Sequence, residues 1–267
     1  IIIIKSTVVP ETTIKIILPI LEKESKKKVG KDFGLITNPE FLRETNAIND
    51  TINPHVVVIG GYKDKFTKEV ENFYTKFYKN ISLVNTNHQT AEMIKYANNS
   101  FLATKISFIN QLANICQNIP GADIDDIART IGLDPRIGKL FLNAGPGYGG
   151  SCLPKDVKAI MNFSSKIGVS PLLLNAVEKT NQQQIEQIIK LIEKHCGNLK
   201  GKNISILGLA FKSKTDDIRD SISLKIIEKL LKKQAKVIVH DPMAIENVRK
   251  IFKNKIRYTN SISNALK

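Results

Sequence analysis

Short apolar runs alternate with amphipathic stretches near both ends of the chain, and this alternation restricts the fold more than any other feature. The runs have the length of buried strands, and the stretches between them repeat apolar residues at helical spacing. Strands alternating with helices indicate a parallel sheet covered by helices. We predict strands at residues 1–4, 35–36, 56–59, 81–83, 203–207 and 235–239, and helices at 11–21, 63–78 and 221–233.

Between these regions the pattern is helical. Apolar residues recur at helical spacing over 90–109, a second helix is predicted over 123–131, and a long amphipathic helix begins at Pro171. A helix of that length can link two domains and bury an apolar seam in a dimer. The predicted fold class is α/β, with two partial doubly wound domains joined by a central all-helical dimerisation region. The predicted boundaries are 1–86, 87–199 and 200–267.

A dinucleotide site in such a sheet normally uses Gly-x-Gly-x-x-Gly after the first strand. This fingerprint does not occur before residue 100. We therefore expect the chain to begin partway through one nucleotide-binding domain and to end partway through another. A non-catalytic, dimerising α/β module stays open as an alternative function.

The net charge of the chain bears on which kinds of partner it binds. The net charge of +15 invites a nucleic-acid interpretation. The lysines alternate with acidic residues and few aromatic residues lie among them, as on a solvated helix face, so we expect no nucleic acid. A basic surface favours an anionic small molecule instead. No apolar run reaches the roughly 18 residues of a membrane span, and no membrane partner is expected.

The cysteines and histidines argue against metal binding. Cys116, Cys152 and Cys196 have no close spacing, which predicts neither a disulfide framework nor a zinc site. The histidines also lack the spacing of metal ligands, and we expect no metal. Free cysteines are typical of a reducing compartment, which predicts a cytoplasmic protein.

One stretch carries the strongest chemical signal. Glycines at positions 145, 147, 149 and 150 form a loop that can approach a ligand closely, and Cys152 follows at the start of a predicted helix. The helix N-terminus and Lys155 favour the thiolate, the nucleophilic form. Asp156, one turn beyond Cys152, can polarise a water or position a base. A lone cysteine is more often a buried apolar residue, but these features together outweigh that alternative.

The run Gly-x-Gly-Tyr-Gly-Gly-Ser-Cys-x-Pro-Lys-Asp at 145–156 resembles the active-site signature of the UDP-glucose/GDP-mannose dehydrogenase family. The resemblance covers nearly the whole chain. It implies Rossmann-like domains, NAD as cofactor, a nucleotide-sugar substrate and a homodimer formed through the central helices. The family oxidises a primary alcohol of the sugar with two NAD+, through a thiohemiacetal and a thioester on the cysteine. UDP-glucose is the expected substrate, and GDP-mannose is the alternative.

Two further elements near the start of the chain match family motifs. Ser6-Thr7 resembles the Lys-Ser-Thr element near NAD, although such a pair is as often a turn or a helix cap. Glu40 and Glu44, in Asn-Pro-Glu-Phe-Leu-x-Glu, resemble a glutamate that assists thioester hydrolysis and one that lies near the cofactor. By residue type alone they fit acids one helical turn apart near a helix start.

Lys95 and Asn99, four residues apart, lie beside a predicted buried helix face. An isolated helix lysine is usually solvated, whereas burial of this one would imply a ligand or a catalytic role. The family motif Ala-Glu-x-x-Lys-x-x-x-Asn implies that Lys95 transfers a proton with the sugar hydroxyl or stabilises an oxyanion. The same motif implies that Asn99 positions substrate and water.

The resemblance implies three sets of site residues, in which Arg136 reaches the substrate across the dimer. The catalytic set is Cys152, Lys95, Asn99, Glu40, Asp156 and Thr7. The cofactor-binding set is Ser6, Thr7, Glu44, Lys155 and Arg219. The substrate-binding set is Phe41, Leu42, Arg136, Phe141, Asn143, Tyr148, Gly149, Phe211 and Lys212.

Overall fold

The structure, a computed structural model, describes residues 1–266. The chain forms two compact units: the first contains residues 1–98 and 162–168, and the second contains residues 99–161 and the chain from Val169 onward. Within the described residues, no helix combines the length and the apolar character that a bilayer span requires. Both units mix helices with a sheet, which confirms the α/β class.

The first unit alternates strands and helices. In chain order its elements are β1 (Ile2–Ile4), α1 (Leu18–Ser25), β2 (Leu35–Thr37), α2 (Ala47–Ile52), β3 (Val57–Gly60), α3 (Lys65–Phe77), β4 (Leu83–Thr86) and the start of α4 (His88–Cys116). Ile36, Val57, Ile59 and Val70 form its buried core. β-branched side chains fill both faces of the central strands, and α3 covers one face with Val70.

The sheet of the first unit is mixed, which corrects the prediction of a parallel sheet. Its order is β1-β2-β3-β4, with β1 parallel to β2 and β3 parallel to β4, but β2 pairs antiparallel with β3 at Thr37 and Gly60. A parallel pair needs a crossover, usually a helix of several turns. The link between β2 and β3 carries only the six-residue helix α2, so the chain turns back instead. β4 also begins two residues later than predicted.

The helix predicted over 11–21 is present but begins as a wider π turn, Thr13–Ile17, directly before α1. Pro19 lies in the first turn of α1. Proline lacks a backbone N–H, and its ring clashes with the carbonyl four residues earlier in a regular helix. The wider turn makes room for that ring and keeps the segment helical.

Buried hydrogen bonds tie the start of α4 to the segment after β1. The Glu92 carboxylate accepts from the backbone N–H of Glu11 at 2.6 Å and from the N–H and hydroxyl of Thr13 at 2.9 and 2.7 Å. The Thr37 hydroxyl donates to Thr13 Oγ1 at 3.0 Å and lies 3.0 Å from Nδ1 of His88. Because Thr37 gives its proton to Thr13, Nδ1 of His88 carries the hydrogen. Nε2 of His88 is buried and has no partner among residues 1–266.

The second unit contains the central helices and a parallel sheet. It includes the rest of α4, then α5 (Ile124–Ile131), the first part of α6 (Leu153–Lys166), α7 (Leu172–Cys196), β5 (Asn203–Leu207), α8 (Ile222–Lys232), β6 (Lys236–His240), α9 (Ile245–Phe252), β7 (Arg257–Tyr258) and α10 (Ile262–Ala265). The strands pair in parallel in the order β5-β6-β7. The end of α7 packs Ile189 into the core of this sheet, beside Ile227, Leu230 and Val239. The long helix α7 therefore supports both the helical part of this unit and its sheet.

Candidate active site

The segment after β2 is not helical, so the alternative of Glu40 and Glu44 as acids of a first helical turn does not hold. The chain has no regular structure from 38 to 43, and only Glu44–Asn46 form a short 3-10 turn. Glu40 Oε2 accepts the backbone N–H of Leu42 at 2.5 Å. Such side-chain acceptors compete with helix formation.

Lys95, on α4, is only 6% exposed, and its ammonium lies 3.4 Å from Glu40 Oε1. The ring centroid of Phe41 lies 5.2 Å from the same nitrogen. A buried lysine needs such partners, and the carboxylate and the ring face supply them. The Glu40 side chain stays 31% exposed, which leaves it accessible to water. Lys95 is thus buried beside Glu40 and Phe41, and its catalytic role stays a prediction.

Ser6 and Thr7 follow β1, whose carboxyl end lies beside that of β2 in parallel register. Ligands of open α/β sheets bind beyond such strand ends. Neither hydroxyl makes a hydrogen bond within the described part of the chain, so both are available to a ligand. Glu44 lies in the 3-10 turn that follows the β2 end and is exposed.

In the second unit, Cys152 lies at the start of α6. Its carbonyl accepts the backbone N–H of Asp156 at 2.9 Å, the first hydrogen bond of the helix. The thiol is not part of a disulfide and the residue is exposed, with Ser151 Oγ 3.5 Å from Sγ. The thiol is therefore presented at a helix N-terminus and is not a buried apolar residue.

The Asp156 side chain is only 1% exposed and both of its oxygens are engaged. Asn99 Nδ2 donates to Oδ2 at 2.6 Å, and the ammonium of Lys155 lies 2.5 Å from Oδ1. Lys155 itself is 58% exposed. Two donors on different atoms fix the plane of the carboxylate. Asn99 and Asp156, predicted from separate motifs, are thus brought into direct contact.

Sequence reasoning missed three amide side chains that hold the glycine loop, here called the carboxamide clamp: Asn110 on α4 and Asn181 and Gln184 on α7. Asn110 and Gln184 bind the backbone of Gly145, and Asn181 binds the backbone of Tyr148. The available signal was the position of amides on helix faces that otherwise carry apolar residues.

Tyr148, which the resemblance places among the substrate-binding residues, has a buried side chain. Its side chain is 4% exposed and packs against Ala103, Val157 and Val177. Its hydroxyl donates to Glu178 at 3.0 Å, and burial followed by this carboxylate raises the pKa of Tyr148. The ring serves the core of the helical region, because burial of a large aromatic side chain outweighs exposure on a loop.

The glycine loop lies directly against the segment that follows β5. Gly150 donates its backbone N–H to the carbonyl of Arg219 at 3.1 Å. A Cβ on Gly150 would lie 2.6 Å from the Phe211 ring, and a Cβ on Gly149 would lie 2.3 Å from the Asp220 carbonyl oxygen. Only glycine permits this approach. The loop with Cys152 and the segment with Phe211 therefore form one continuous site in the second unit.

The segment after β5 is anchored by Asp241, a residue that sequence reasoning also missed. Asp241 accepts the backbone N–H groups of Leu209 and Ala210 at 2.7 and 3.3 Å, and of Met243 and Ala244 at 2.7 Å each. Burial raises the pKa of Asp241, but these four hydrogen bonds outweigh burial and lower it. The anchored segment carries Lys212, whose ammonium lies 5.3 Å from the Phe211 ring centroid.

Both predicted arginines pair with the aspartate two residues before them. Arg219 makes a two-pronged contact with Asp217, and Arg136 makes the same contact with Asp134. The Arg136 hydrogen bonds lower the pKa of Asp134. The Arg136 side chain is 87% exposed, so an incoming anion can still reach it.

The structure distributes the remaining predicted residues over both units. The first unit brings Glu40, Phe41 and Lys95 together, with Leu42 exposed beside them. The second unit brings together Cys152, Lys155, Asp156 and Asn99, and joins the glycine loop to Phe211. Phe141 and Asn143 are exposed just before the loop.

Comparison with known proteins identifies three consecutive family matches. The NAD binding domain of the UDP-glucose/GDP-mannose dehydrogenase family matches residues 1–78, its central domain matches 89–183, and its UDP binding domain matches 205–267. UDP-glucose 6-dehydrogenase AglM of Haloferax volcanii is 44% identical over 98% of the chain and 61% of its own length. UDP-glucose 6-dehydrogenase TuaD of Bacillus subtilis is 42% identical over 99% of the chain and 56% of its own length.

Solved structures also match nearly the whole chain. A UDP-glucose dehydrogenase from Pyrobaculum islandicum matches 99% of the chain and 60% of its own length, with a TM-score of 0.91 and 35% identity. An NDP-N-acetyl-D-galactosaminuronic acid dehydrogenase from Methanosarcina mazei matches 99% of the chain and 57% of its own length, with a TM-score of 0.83 and 27% identity. The chain thus spans about three fifths of the length of these relatives.

Proposed function

The chain belongs to the UDP-glucose/GDP-mannose dehydrogenase family. We propose that the protein containing this chain oxidises a nucleotide sugar twice with NAD. Between the two oxidations Cys152 carries the sugar covalently. The observation that carries the proposal is the exposed Cys152 thiol at the start of α6, with Asp156 held rigidly one turn later. UDP-glucose, converted to UDP-glucuronate, is the proposed substrate, since relatives with that activity in their names are 44% and 42% identical.

The chemistry assigns distinct tasks to the residues. Lys95 takes part in removing the proton of the primary hydroxyl and stabilises the oxyanion that develops there. The first oxidation yields an aldehyde. Sγ of Cys152 attacks the aldehyde carbon, the C=O π bond opens as the C–S bond forms, and the proton lost by the thiol goes to the carbonyl oxygen. The second oxidation turns this thiohemiacetal into a thioester. When bound, NAD+ supplies the chemistry of hydride acceptance in each oxidation.

Hydrolysis completes the proposed sequence. A water adds to the thioester carbonyl, the C–S bond breaks, and the thiol of Cys152 recovers its proton. Glu40, which is accessible to water, accepts the proton that the water loses and returns it to the departing sulfur, and the negative charge of Asp156, which is fixed by Asn99, polarises the water. Covalent retention until this step prevents loss of a reactive aldehyde.

Cations and hydroxyl groups account for binding in the same proposal. Ser6, Thr7 and Glu44 at the β1–β2 edge, with Lys155 and Arg219, would hold NAD. Lys212 beside the Phe211 ring would meet the phosphates of the sugar nucleotide. The net charge of +15 supports binding of such anions.

A homodimer is part of the proposal. Phe101, Phe108 and Ile115 lie seven residues apart on α4 and are 64%, 52% and 48% exposed. Residues seven apart share one helix face, and an exposed apolar stripe marks an interaction surface. We propose that a second copy of the chain covers this stripe, which would leave Arg136 free to reach the partner's substrate. A cytoplasmic location belongs to the same proposal, because Cys152 has to remain a thiol.

Formation of NADH tests the function directly. The full-length protein that carries this sequence is supplied with NAD+ and either UDP-glucose or GDP-mannose, and absorbance of NADH is followed for wild type, Cys152→Ala and Cys116→Ala. We expect two NADH per UDP-glucose in wild type and Cys116→Ala, and at most one in Cys152→Ala, in which no thioester can form. Turnover of GDP-mannose alone would reassign the substrate. No turnover and no thermal stabilisation by NAD+ or UDP-sugars would favour a non-catalytic module.

A further inference from the structure

We propose that Asn181 and Gln184, on α7, are positioning residues that hold the glycine loop and thereby place the Cys152 thiol for attack. The proposal rests on the proposed function of Cys152. It assigns a task to two side chains that lie outside every set of site residues predicted from the sequence.

The loop has little order of its own. Gly147 and Gly150 adopt φ of +109° and +86°, and residues 145–152 contain no helix or strand. Glycines lose much conformational freedom when they are fixed, so an unsupported loop of this composition would be mobile. Its order has to come from groups outside it.

The carboxamide clamp supplies that order. Asn181 Oδ1 accepts the N–H of Tyr148 at 2.8 Å, and Asn181 Nδ2 donates to the Tyr148 carbonyl at 3.0 Å. Gly145 is held in the same way by two side chains: its N–H donates to Asn110 Oδ1 at 2.7 Å, and its carbonyl accepts from Gln184 Nε2 at 2.9 Å. Both backbone polar groups of two loop residues are therefore bound by amides.

The clamp is rigid because it is buried and connected. Asn181 and Gln184 are 7% and 6% exposed, and Asn114 on α4 donates to Gln184 Oε1 at 3.0 Å, which fixes the orientation of that amide. A Cβ on Gly147 would lie 2.5 Å from Asn181 Oδ1, so the loop packs directly on the amide. A buried hydrogen bond of this kind is costly to leave unmade.

The clamp affects the position of the reacting sulfur of Cys152. Cys152 follows Tyr148 by four residues, and Asn181 fixes the last amide-clamped residue before it. A misplacement of about 1 Å at a reacting atom can cost roughly 100-fold in rate, whereas ground-state binding of the substrate is less sensitive. Loss of the clamp should therefore lower kcat more than it raises KM.

The test uses the full-length protein with Asn181→Ala and Gln184→Met, and with Gln183→Ala as a matched control on the exposed face of α7. The readouts are kcat and KM for the nucleotide sugar and the hydrogen exchange of the Tyr148 amide. For Asn181→Ala we expect kcat to fall by about 10- to 100-fold, KM to change by less than about three-fold, and Tyr148 exchange to accelerate by roughly ten-fold. Gln184→Met should also lower kcat. Gln183→Ala should leave kcat, KM and Tyr148 exchange unchanged.

The outcomes separate the proposals. An unchanged kcat in both clamp variants, or unchanged Tyr148 exchange in Asn181→Ala, would overturn the positioning role. A variant that only lowers the melting temperature, with wild-type kcat well below that temperature, would also overturn it. If wild type turns over no nucleotide sugar, the proposed function fails, while amide exchange still reports on the clamp. Should Asn181→Ala fail to fold, Gln184→Met decides the matter.

Discussion

Asn99 donates a 2.6 Å hydrogen bond from its side-chain amide to Oδ2 of Asp156, and the Asp156 side chain is 1% exposed. The contact joins α4 to α6 one turn after Cys152. Together with the Lys155 contact, this bond fixes the orientation of the carboxylate. A carboxylate that polarises water in the proposed hydrolysis step needs such a fixed orientation.

Replacing Asp156 by Asn should therefore abolish most turnover while the chain still folds. The new amide can keep its oxygen toward Asn99, but it carries no negative charge to polarise water. We expect kcat to fall by about 100-fold or more, as for loss of a group that assists proton transfer. Asp125→Asn, an exposed acid on α5, is the control. Turnover of Asp156→Asn within about three-fold of wild type would remove Asp156 from the mechanism.

Gly150→Ala should destabilise the chain more than a positive φ alone explains. Gly150 and Gly121 have φ of +86° and +80°, but only at Gly150 would a Cβ meet another residue, the Phe211 ring at 2.6 Å. Gly121→Ala should cost about 1 kcal/mol from backbone strain, and Gly150→Ala about 2–4 kcal/mol because the ring has to move. Urea unfolding of both variants measures the difference. Equal losses would show that the loop does not press on Phe211 in solution.

His88 predicts a loss of stability under mildly acidic conditions. Burial, partly offset by the charge of Asp64, lowers the pKa of His88 from 6.5 to about 4. The unfolded chain therefore binds a proton at a higher pH than the folded chain, and stability falls as the pH drops from 6.5 to about 4. Asp241, whose pKa is lowered, gives stability that is lost only below its usual 3.8, so the two windows differ.

Urea unfolding at a series of pH values tests this window. His88→Gln removes the titrating ring, and its stability should be nearly flat where wild type declines. His195→Gln is the control, because His195 lies in the last turn of α7. Parallel curves for wild type and His88→Gln would show that His88 is not the group responsible.

The proposed dimer predicts a simple disruption. Phe108→Glu places a charge at the centre of the exposed α4 stripe and should convert a dimer into monomers in sedimentation equilibrium. Ile251→Glu, at an apolar position on α9 that is 51% exposed, should leave the assembly unchanged. A wild-type monomer, or a Phe108→Glu dimer of unchanged affinity, would contradict assembly through this stripe.

Periodicity in the sequence predicted the long helices well, because α4 and α7 each carry many turns of the same pattern. The start of a helix behind Cys152 followed from Pro154 and the glycines before it. The alternative of a helix start at Glu40 does not hold, because the backbone amides of Leu42 and Arg43 bind the carboxylates of Glu40 and Asp50, and apolar spacing does not show such contacts. The antiparallel pairing of β2 with β3 depends on the path of the link, which residue types do not define.

The hydrogen bonds that hold the candidate site in place were harder to predict from the sequence. Asn181 and Tyr148 are 33 residues apart, and Gln184 and Gly145 are 39 apart. Sequence shows an amide on a helix face but not the backbone group that it binds. The sequence likewise does not show that the Tyr148 side chain packs into the core.

The most direct measurement is the mass of the Cys152 peptide after the protein has met its substrate. The full-length Glu40→Gln variant, in which hydrolysis should be slow, is mixed with NAD+ and UDP-glucose, quenched in acid and digested. We expect an adduct on Cys152 whose mass equals UDP-glucose less four hydrogens, formed together with two NADH per adduct. Full oxidation of UDP-glucose by Cys152→Ala, with no adduct on Cys152 in Glu40→Gln, would contradict covalent catalysis by Cys152.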